Sequence, residues 1–168
     1  FLNELARLGT KGPLVDAAAG KSYLGVLAAH LLPIASLTVI ERNAQRISDS
    51  QHAIERLGLT TRATVQLGDV NELQHWPESA ATVVGLHACG AASDAIVDAA
   101  IAREATTVLL VPCCYGADIS FWSHALTHAD RLGLPRSAEL RKPFVQSLIM
   151  AERVLRLQAA GYDTTVAP

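Results

Sequence analysis

Short runs of apolar and β-branched residues alternate along this chain with segments that have helical spacing. The strand-like runs cover residues 14–16, 37–41, 63–69, 81–87 and 105–114, and "YDTTV" at 162–166 predicts a sixth strand. The helical segments lie at residues 1–9, 22–32, 42–58, 91–104 and 143–160. Strict alternation predicts an α/β fold, a doubly wound and mostly parallel sheet with helices on both faces. We expect one domain over residues 1–168, a fragment of a longer protein that lacks the last strand of its sheet.

Composition is consistent with a globular domain. Half of the 168 residues are hydrophobic and 18% are charged, which is enough apolar material for a core. The net charge of −2 gives no general attraction to nucleic acid or to a membrane surface. Three cysteines are too few for a disulfide framework and suit a reducing, cytoplasmic location. Residues 23–40 are almost apolar enough for a membrane span, but Pro33 favours a helix followed by a strand.

Ligands of parallel sheets bind beyond the carboxyl ends of the strands, so the turn at residues 16–22, "DAAAGKS", is the first candidate. A phosphate-binding P-loop requires glycine where Val15 stands. A dinucleotide motif would place the bulky Tyr23 where close helix–strand packing needs a glycine. The P-loop and the dinucleotide motif both remain open as alternatives, although each has one of these mismatches.

Acidic residues end the next two predicted strands. Glu41 stands about 20 residues after the turn, where a carboxylate can bind a ribose diol. Asp69 ends the third strand, where it could accept a hydrogen bond from an adenine amino group. A nucleoside without a phosphate tail, such as S-adenosylmethionine, fits this set of groups. The competing interpretation is that both are solvated acids at strand ends.

The runs "VDAAAGKSYLG", "VIERN", "GLHACGAASD" and "PCCYG" resemble the class I (Rossmann-type) methyltransferases. They are most similar to a branch with the motifs V-D-x-G-x-G-K-G-Y-L, G-L-H-x-C-G-x-x-[ST]-D and C-C-Y. That branch includes a tRNA 2′-O-methyltransferase family. The resemblance extends over residues 14–166 and implies S-adenosyl-L-methionine as the cofactor.

The resemblance also implies roles for single residues. Asp16 and Gly20 would shape the turn around the methionine part, Glu41 would bind the ribose, and Asp69 with Val70 would flank the adenine. The full set of expected cofactor-binding residues is Asp16, Ala18, Gly20, Lys21, Glu41, Arg42, Asp69, Val70 and His87. Ala18 and Ser22 stand where the motif has glycine, so the backbone approaches a ligand less freely.

His87 follows the fourth strand and is the candidate catalytic base, unless its imidazole only bonds a neighbouring loop. Cys89, Cys113 and Cys114 follow adjacent strands and can cluster. Their spacing along the chain is unlike that of zinc ligands, so no metal is predicted. A nucleophile that adds to a pyrimidine is a second option. Small buried cysteines that pack beneath the cofactor are the favoured interpretation.

Basic residues are frequent near the carboxyl end of the chain. The six are Arg131, Arg136, Arg141, Lys142, Arg153 and Arg156. Such a patch can contact the phosphates of RNA, and it is equally typical of the solvated face of a helix. Two functions therefore remain: a methyltransferase with RNA, or a small molecule or protein, as acceptor, and a degenerate methyltransferase-like domain that binds partners without turnover.

Overall fold

The computed structural model describes residues 1–166 as a parallel sheet flanked by helices. The strands are β1 Pro13–Ala17, β2 Ser36–Glu41, β3 Ala63–Leu67, β4 Thr82–Leu86 and β5 Thr107–Val111. The helices are α1 Leu2–Arg7, α2 Tyr23–Leu31, α3 Ala44–Arg56, α4 Ala91–Ala102, α5 Trp122–Arg131 and α6 Ala138–Ala159. All paired strands are parallel and their order is β3-β2-β1-β4-β5. The predicted α/β fold class is confirmed.

The strand order places a crevice at the middle of the sheet. The chain moves from β1 to β2 and β3 in one direction, then returns to pair β4 with β1 on the other side. Connections diverge at this switch point, and the carboxyl ends of β1 and β4 there leave space for a ligand.

Neighbouring residues of each strand are buried on opposite faces of the sheet, as the two-residue strand period requires. Leu14 packs with Val26 of α2 and Ile54 of α3 on one face. Val15 packs with Ile96 of α4 on the other face. The two helical layers are therefore fixed by alternate residues of the same strands.

Helices α5 and α6 form a smaller apolar cluster of their own and are tied to α4 by charge. Arg153 of α6 is 1% exposed, and its Nε donates to Asp94 Oδ1 of α4 at 2.7 Å. Arg156 adds bonds to Asp94 at 3.3 Å and to Asp98 at 2.7 Å. Because a buried charge is costly without partners, this network specifies how α6 docks against α4.

Three sequence predictions about this region are wrong, and one helix was missed. Residues 162–166 form no strand: the Tyr162 amide donates to Leu157 O and the Thr164 hydroxyl accepts from Gln158, so the segment caps α6 instead. Helix α5 was not predicted, and α6 begins at residue 138 with Pro143 inside it. Within the described chain β5 lies at the sheet edge, so it is half-buried rather than fully buried.

The apolar stretch at residues 23–40 is a helix followed by a strand, as predicted: it contains α2 and most of β2. Among the described residues no helix combines the length and the apolar character that crossing a bilayer requires.

Candidate functional site

A groove crosses the carboxyl ends of the strands at the predicted crevice. It consists of two cavities, of about 320 Å³ and about 260 Å³. The larger is lined by Glu41, Asp69 and Val70, and the smaller by Asp16 and Gly20. Three residues, Ala18, Arg46 and His87, line both cavities and mark where they meet. The sequence-predicted residues thus converge on one groove.

Asp16 lies beneath the turn that follows β1. It is 2% exposed, and its Oδ2 accepts from the Ser22 hydroxyl at 2.6 Å and the Gly25 amide at 3.0 Å. A Cβ on Gly25 would lie 2.5 Å from that oxygen, so glycine is required there. Burial raises the pKa of Asp16 to about 7, although both hydrogen bonds oppose the shift. Asp16 therefore fixes the turn after β1, and its expected place beside the methionine part of a cofactor stays a prediction.

Glu41 joins the end of β2 to the same turn. The residue is 4% exposed; its Oε2 accepts from the Gly20 amide at 2.7 Å and its Oε1 from the Asn43 amide at 2.9 Å. Each carboxylate oxygen has two lone pairs, so the group retains acceptor capacity toward the cavity. This carboxylate is held rigidly where the sequence predicted a ribose contact.

Three residues without glycine's freedom adopt left-handed backbone conformations at the groove. Ala18 has φ 53°, Ser22 has φ 50° and His87 has φ 58°. Such conformations cost about 1–2 kcal/mol for residues with a Cβ. Ala18 and Ser22 are the positions at which the family motif has glycine. The chain keeps the glycine-type conformation despite the side chains, and strain of this kind often lies at functional sites.

The remaining predicted residues lie at the groove's rim. Asp69 Oδ1 accepts from the amide of Asn71 at 3.0 Å, and Arg42 Nη1 lies 3.9 Å from Asp69 Oδ2. Val70 is buried next to them. Lys21 lines the smaller cavity and forms an ion pair with Asp49 at 3.1 Å. All nine predicted residues therefore line the groove.

His87 is exposed at the junction of the two cavities. Its backbone amide donates to Val111 O at 2.9 Å, which holds the loop after β4 against the end of β5. His87 thus lines both cavities, and its role as a catalytic base stays a prediction.

The three cysteines form a cluster beside the larger cavity. All three Sγ atoms lie within 4.8 Å of one another. The favoured interpretation, small buried thiols, is wrong: Cys113 and Cys114 are exposed, and Cys89 is half-buried. Hydrogen bonding from Cys113 lowers the pKa of Cys89, and the same contact raises the pKa of Cys113 to about 12.

Sequence reasoning missed several groove residues. Arg46 of α3 lines both cavities, with Nη1 4.0 Å from Glu41 Oε1. Asp118 lines the larger cavity, and its Oδ2 accepts from the Ala91 amide at 2.9 Å. The sequence contained a signal for Arg46, because this residue lies about one helical turn after the "VIERN" run that ends β2. Asp118 had none, since it lies in an irregular loop.

A family model described as a methyltransferase domain matches residues 1–118. The chain belongs to this methyltransferase-domain family. The resemblance noted from the motifs is thus confirmed at the level of the domain. The match extends from α1 to the loop after β5 and includes every predicted cofactor-binding residue.

Curated relatives are similar over a larger part of the chain. The human glutathione S-transferase C-terminal domain-containing protein is 26% identical over 77% of this chain and 18% of its own length. A Drosophila melanogaster homolog of that protein is 24% identical over 89% of this chain and 29% of its own length. The chain therefore spans less than a third of the curated relatives it matches.

Solved structures share the fold at low sequence identity. A precorrin-6y C5,15-methyltransferase from Geobacter metallireducens GS-15 has a TM-score of 0.58 at 18% identity, covering 99% of this chain and 71% of that one. M. capricolum TrmK, in complex with S-adenosyl-homocysteine, has a TM-score of 0.52 at 12% identity, covering 92% and 96%. These likenesses establish the class I methyltransferase fold.

Ala18→Gly should raise the free energy of unfolding by about 0.5–1 kcal/mol, because glycine removes the left-handed strain and only part of the gain is offset by a more flexible unfolded chain. Urea unfolding measures the change. Ala19→Gly is the matched control: Ala19 lies outside the left-handed region, so the same substitution should lower stability. Equal destabilisation by both variants would contradict the strain at Ala18.

Asp16→Asn should remove a pH dependence of stability. Because the folded pKa of about 7 exceeds the unfolded value, the folded state binds the extra proton between those two values. The unfolding free energy of the wild type therefore falls as pH rises from about 4 to about 7. The amide can keep both hydrogen bonds through its oxygen and carries no charge. When the pH is raised from 5 to 8, we expect the unfolding free energy of the variant to gain on the order of 2–4 kcal/mol relative to that of the wild type.

Urea unfolding at pH 5 and at pH 8 measures this difference in stability. Asp163→Asn, at an exposed position, is the control. Parallel changes in wild type and Asp16→Asn would show that Asp16 is ionised without cost.

Proposed function

We propose that this domain is an S-adenosyl-L-methionine-dependent methyltransferase. The observation that carries the proposal is the buried Glu41 carboxylate, bonded to the Gly20 amide at 2.7 Å and lining the larger cavity. A fixed carboxylate at the end of the second strand is the group that binds a ribose diol. Family membership supports the same activity.

The groove fits the chemistry of the cofactor from one end to the other. The larger cavity offers an apolar wall at Val70 and acceptors at Glu41 and Asp69, which suit an adenosine. The smaller cavity offers Asp16 and the Gly20 turn, where a Cβ would meet nothing within 4 Å, so the backbone is open to a methionine moiety. His87 then borders the position between them.

When bound, the cofactor supplies an electrophilic methyl group for in-line displacement. The chain's residues contribute chiefly by position. Glu41 orients the ribose side, Asp16 fixes the turn, and the His87 imidazole can accept a proton from an acceptor at the junction of the cavities. His87 has a positive backbone φ of 58° and lines both cavities.

RNA is the acceptor class that we propose, and the motifs shared with the tRNA 2′-O-methyltransferase branch support it. Fewer of the six basic residues near the carboxyl end can contact RNA than the sequence indicated. Arg141, Arg153 and Arg156 are engaged with carboxylates of the fold. Arg131, Arg136 and Lys142 remain exposed and available to phosphates. The proposed contact is therefore limited to these three.

Calorimetric titration with S-adenosylhomocysteine tests the cofactor proposal. We expect saturable binding to wild type and about 10–100-fold weaker binding to Glu41→Gln, since hydrogen bonds to charged groups contribute about 1.5–3 kcal/mol. Glu55→Gln, at an exposed position of α3, is the matched control and should bind normally.

Magnesium-ATP serves as the second ligand. Binding of ATP without the homocysteine nucleoside would favour the P-loop alternative and contradict the proposal. Nucleoside binding without methyl transfer to any acceptor would instead support the degenerate binding domain.

Transfer of labelled methyl groups to total RNA tests the acceptor. Replacing Arg131, Arg136 and Lys142 together by glutamine should reduce kcat/KM at low salt by roughly tenfold or more, and weaken its salt dependence by up to about two log–log units. The affinity for S-adenosylhomocysteine should stay unchanged. Lys11→Gln with Arg56→Gln is the control, because both are exposed basic residues elsewhere. Transfer only to protein or small-molecule fractions would exclude RNA.

A further inference from the structure

The thiols of Cys89, Cys113 and Cys114 meet although they are far apart in sequence. Cys89 follows β4, the other two follow β5, and these strands are neighbours in the sheet. The Gly90 amide donates to Cys114 O at 3.3 Å, which fastens the two loops beside the thiols. Backbone bonds of the fold therefore hold the cluster together.

The spacing of the sulfur atoms suits one small metal ion. The Cys113 and Cys114 Sγ atoms are 3.4 Å apart, and all three lie within 4.8 Å of one another. Tetrahedral zinc with Zn–S bonds of about 2.3 Å places its sulfur ligands roughly 3.8 Å apart. Small movements of the exposed loop after β5 would bring the three to that distance. The objection from chain spacing does not apply to ligands that meet in space.

A buried cation lies against both loops. Arg153 Nη2 donates to Gly90 O at 3.4 Å, and its guanidinium carbon lies 5.7 Å from the ring centroid of Tyr115. Gly90 directly follows Cys89, and Tyr115 directly follows Cys114. A nearby positive charge would offset the net negative charge of zinc with three thiolates, and surroundings of this kind tune metal sites.

We propose that Cys89, Cys113 and Cys114 bind one Zn²⁺ ion through three thiolates, with the fourth coordination position open. Among the described residues no histidine or carboxylate joins the three thiols at ligand distance. An open position is typical of zinc sites that take water or a substrate atom. Cys89 lines the larger cavity, so the ion would border the groove. This inference does not depend on methyl transfer.

Cobalt titration of the reduced, metal-free chain tests the site. We expect one Co²⁺ per chain, with a thiolate-to-cobalt charge-transfer band in the near ultraviolet that Zn²⁺ abolishes. The chain has three cysteines in all, so such a band reports only on this cluster. Cys89→Ser, Cys113→Ser and Cys114→Ser should each weaken binding at least about tenfold. His52→Ala and His128→Ala, at exposed positions, should bind normally.

Two results would overturn the proposal: no charge-transfer band in the reduced wild type, or serine variants that bind as tightly as wild type. A reduced chain that binds no zinc but forms a disulfide in air would assign the thiols to redox chemistry instead. Circular dichroism of each variant checks folding. Calorimetry of Cys113→Ser with S-adenosylhomocysteine separates the zinc proposal from the cofactor proposal. The variant can lose the metal and still bind the nucleoside, so the two proposals can be contradicted independently.

Discussion

Two buried carboxylates determine the shape of the turn after β1, and the groove depends on that turn. Asp16 accepts from Ser22 and Gly25, while Glu41 accepts from Gly20. The Asp16 interaction is costly, because burial opposes ionisation of this carboxyl and raises its pKa to about 7. A chain selected only for stability would place uncharged acceptors here. A buried acid with a raised pKa is instead typical of functional sites.

The alternation of strands and helices was sufficient to predict the sheet and the residues at its carboxyl edge, because hydrophobic period and strand ends are local properties. It could not predict the structural elements that follow β5. Helix α5 begins without a side-chain cap and has a largely polar face, so its start had no sequence signal. "YDTTV" has strand composition, but its Tyr162 amide and Thr164 hydroxyl bond to α6. Local capping contacts with the end of α6 thus outweighed intrinsic strand preference.

Arginine was the residue type that sequence reasoning interpreted least well. A basic residue on an amphipathic helix usually lies in solvent. The spacing of Arg153 along the helix does not distinguish it from the exposed basic residues near it in the sequence. Its acidic partner, Asp94, is 59 residues away, and only the packing of α6 on α4 brings them together. Burial of this guanidinium removes it from any nucleic-acid surface.

That same guanidinium connects α6 to the loops after β4 and β5. It bonds Asp94 of α4, the carbonyl of Gly90 and the face of Tyr115, so one side chain contacts both thiol-bearing loops. Its Nη1 is buried and has no hydrogen-bond partner among the described residues. An unpaired donor of this kind is costly unless something accepts from it. The loops after β4 and β5 are therefore arranged around one buried positive charge that α6 supplies.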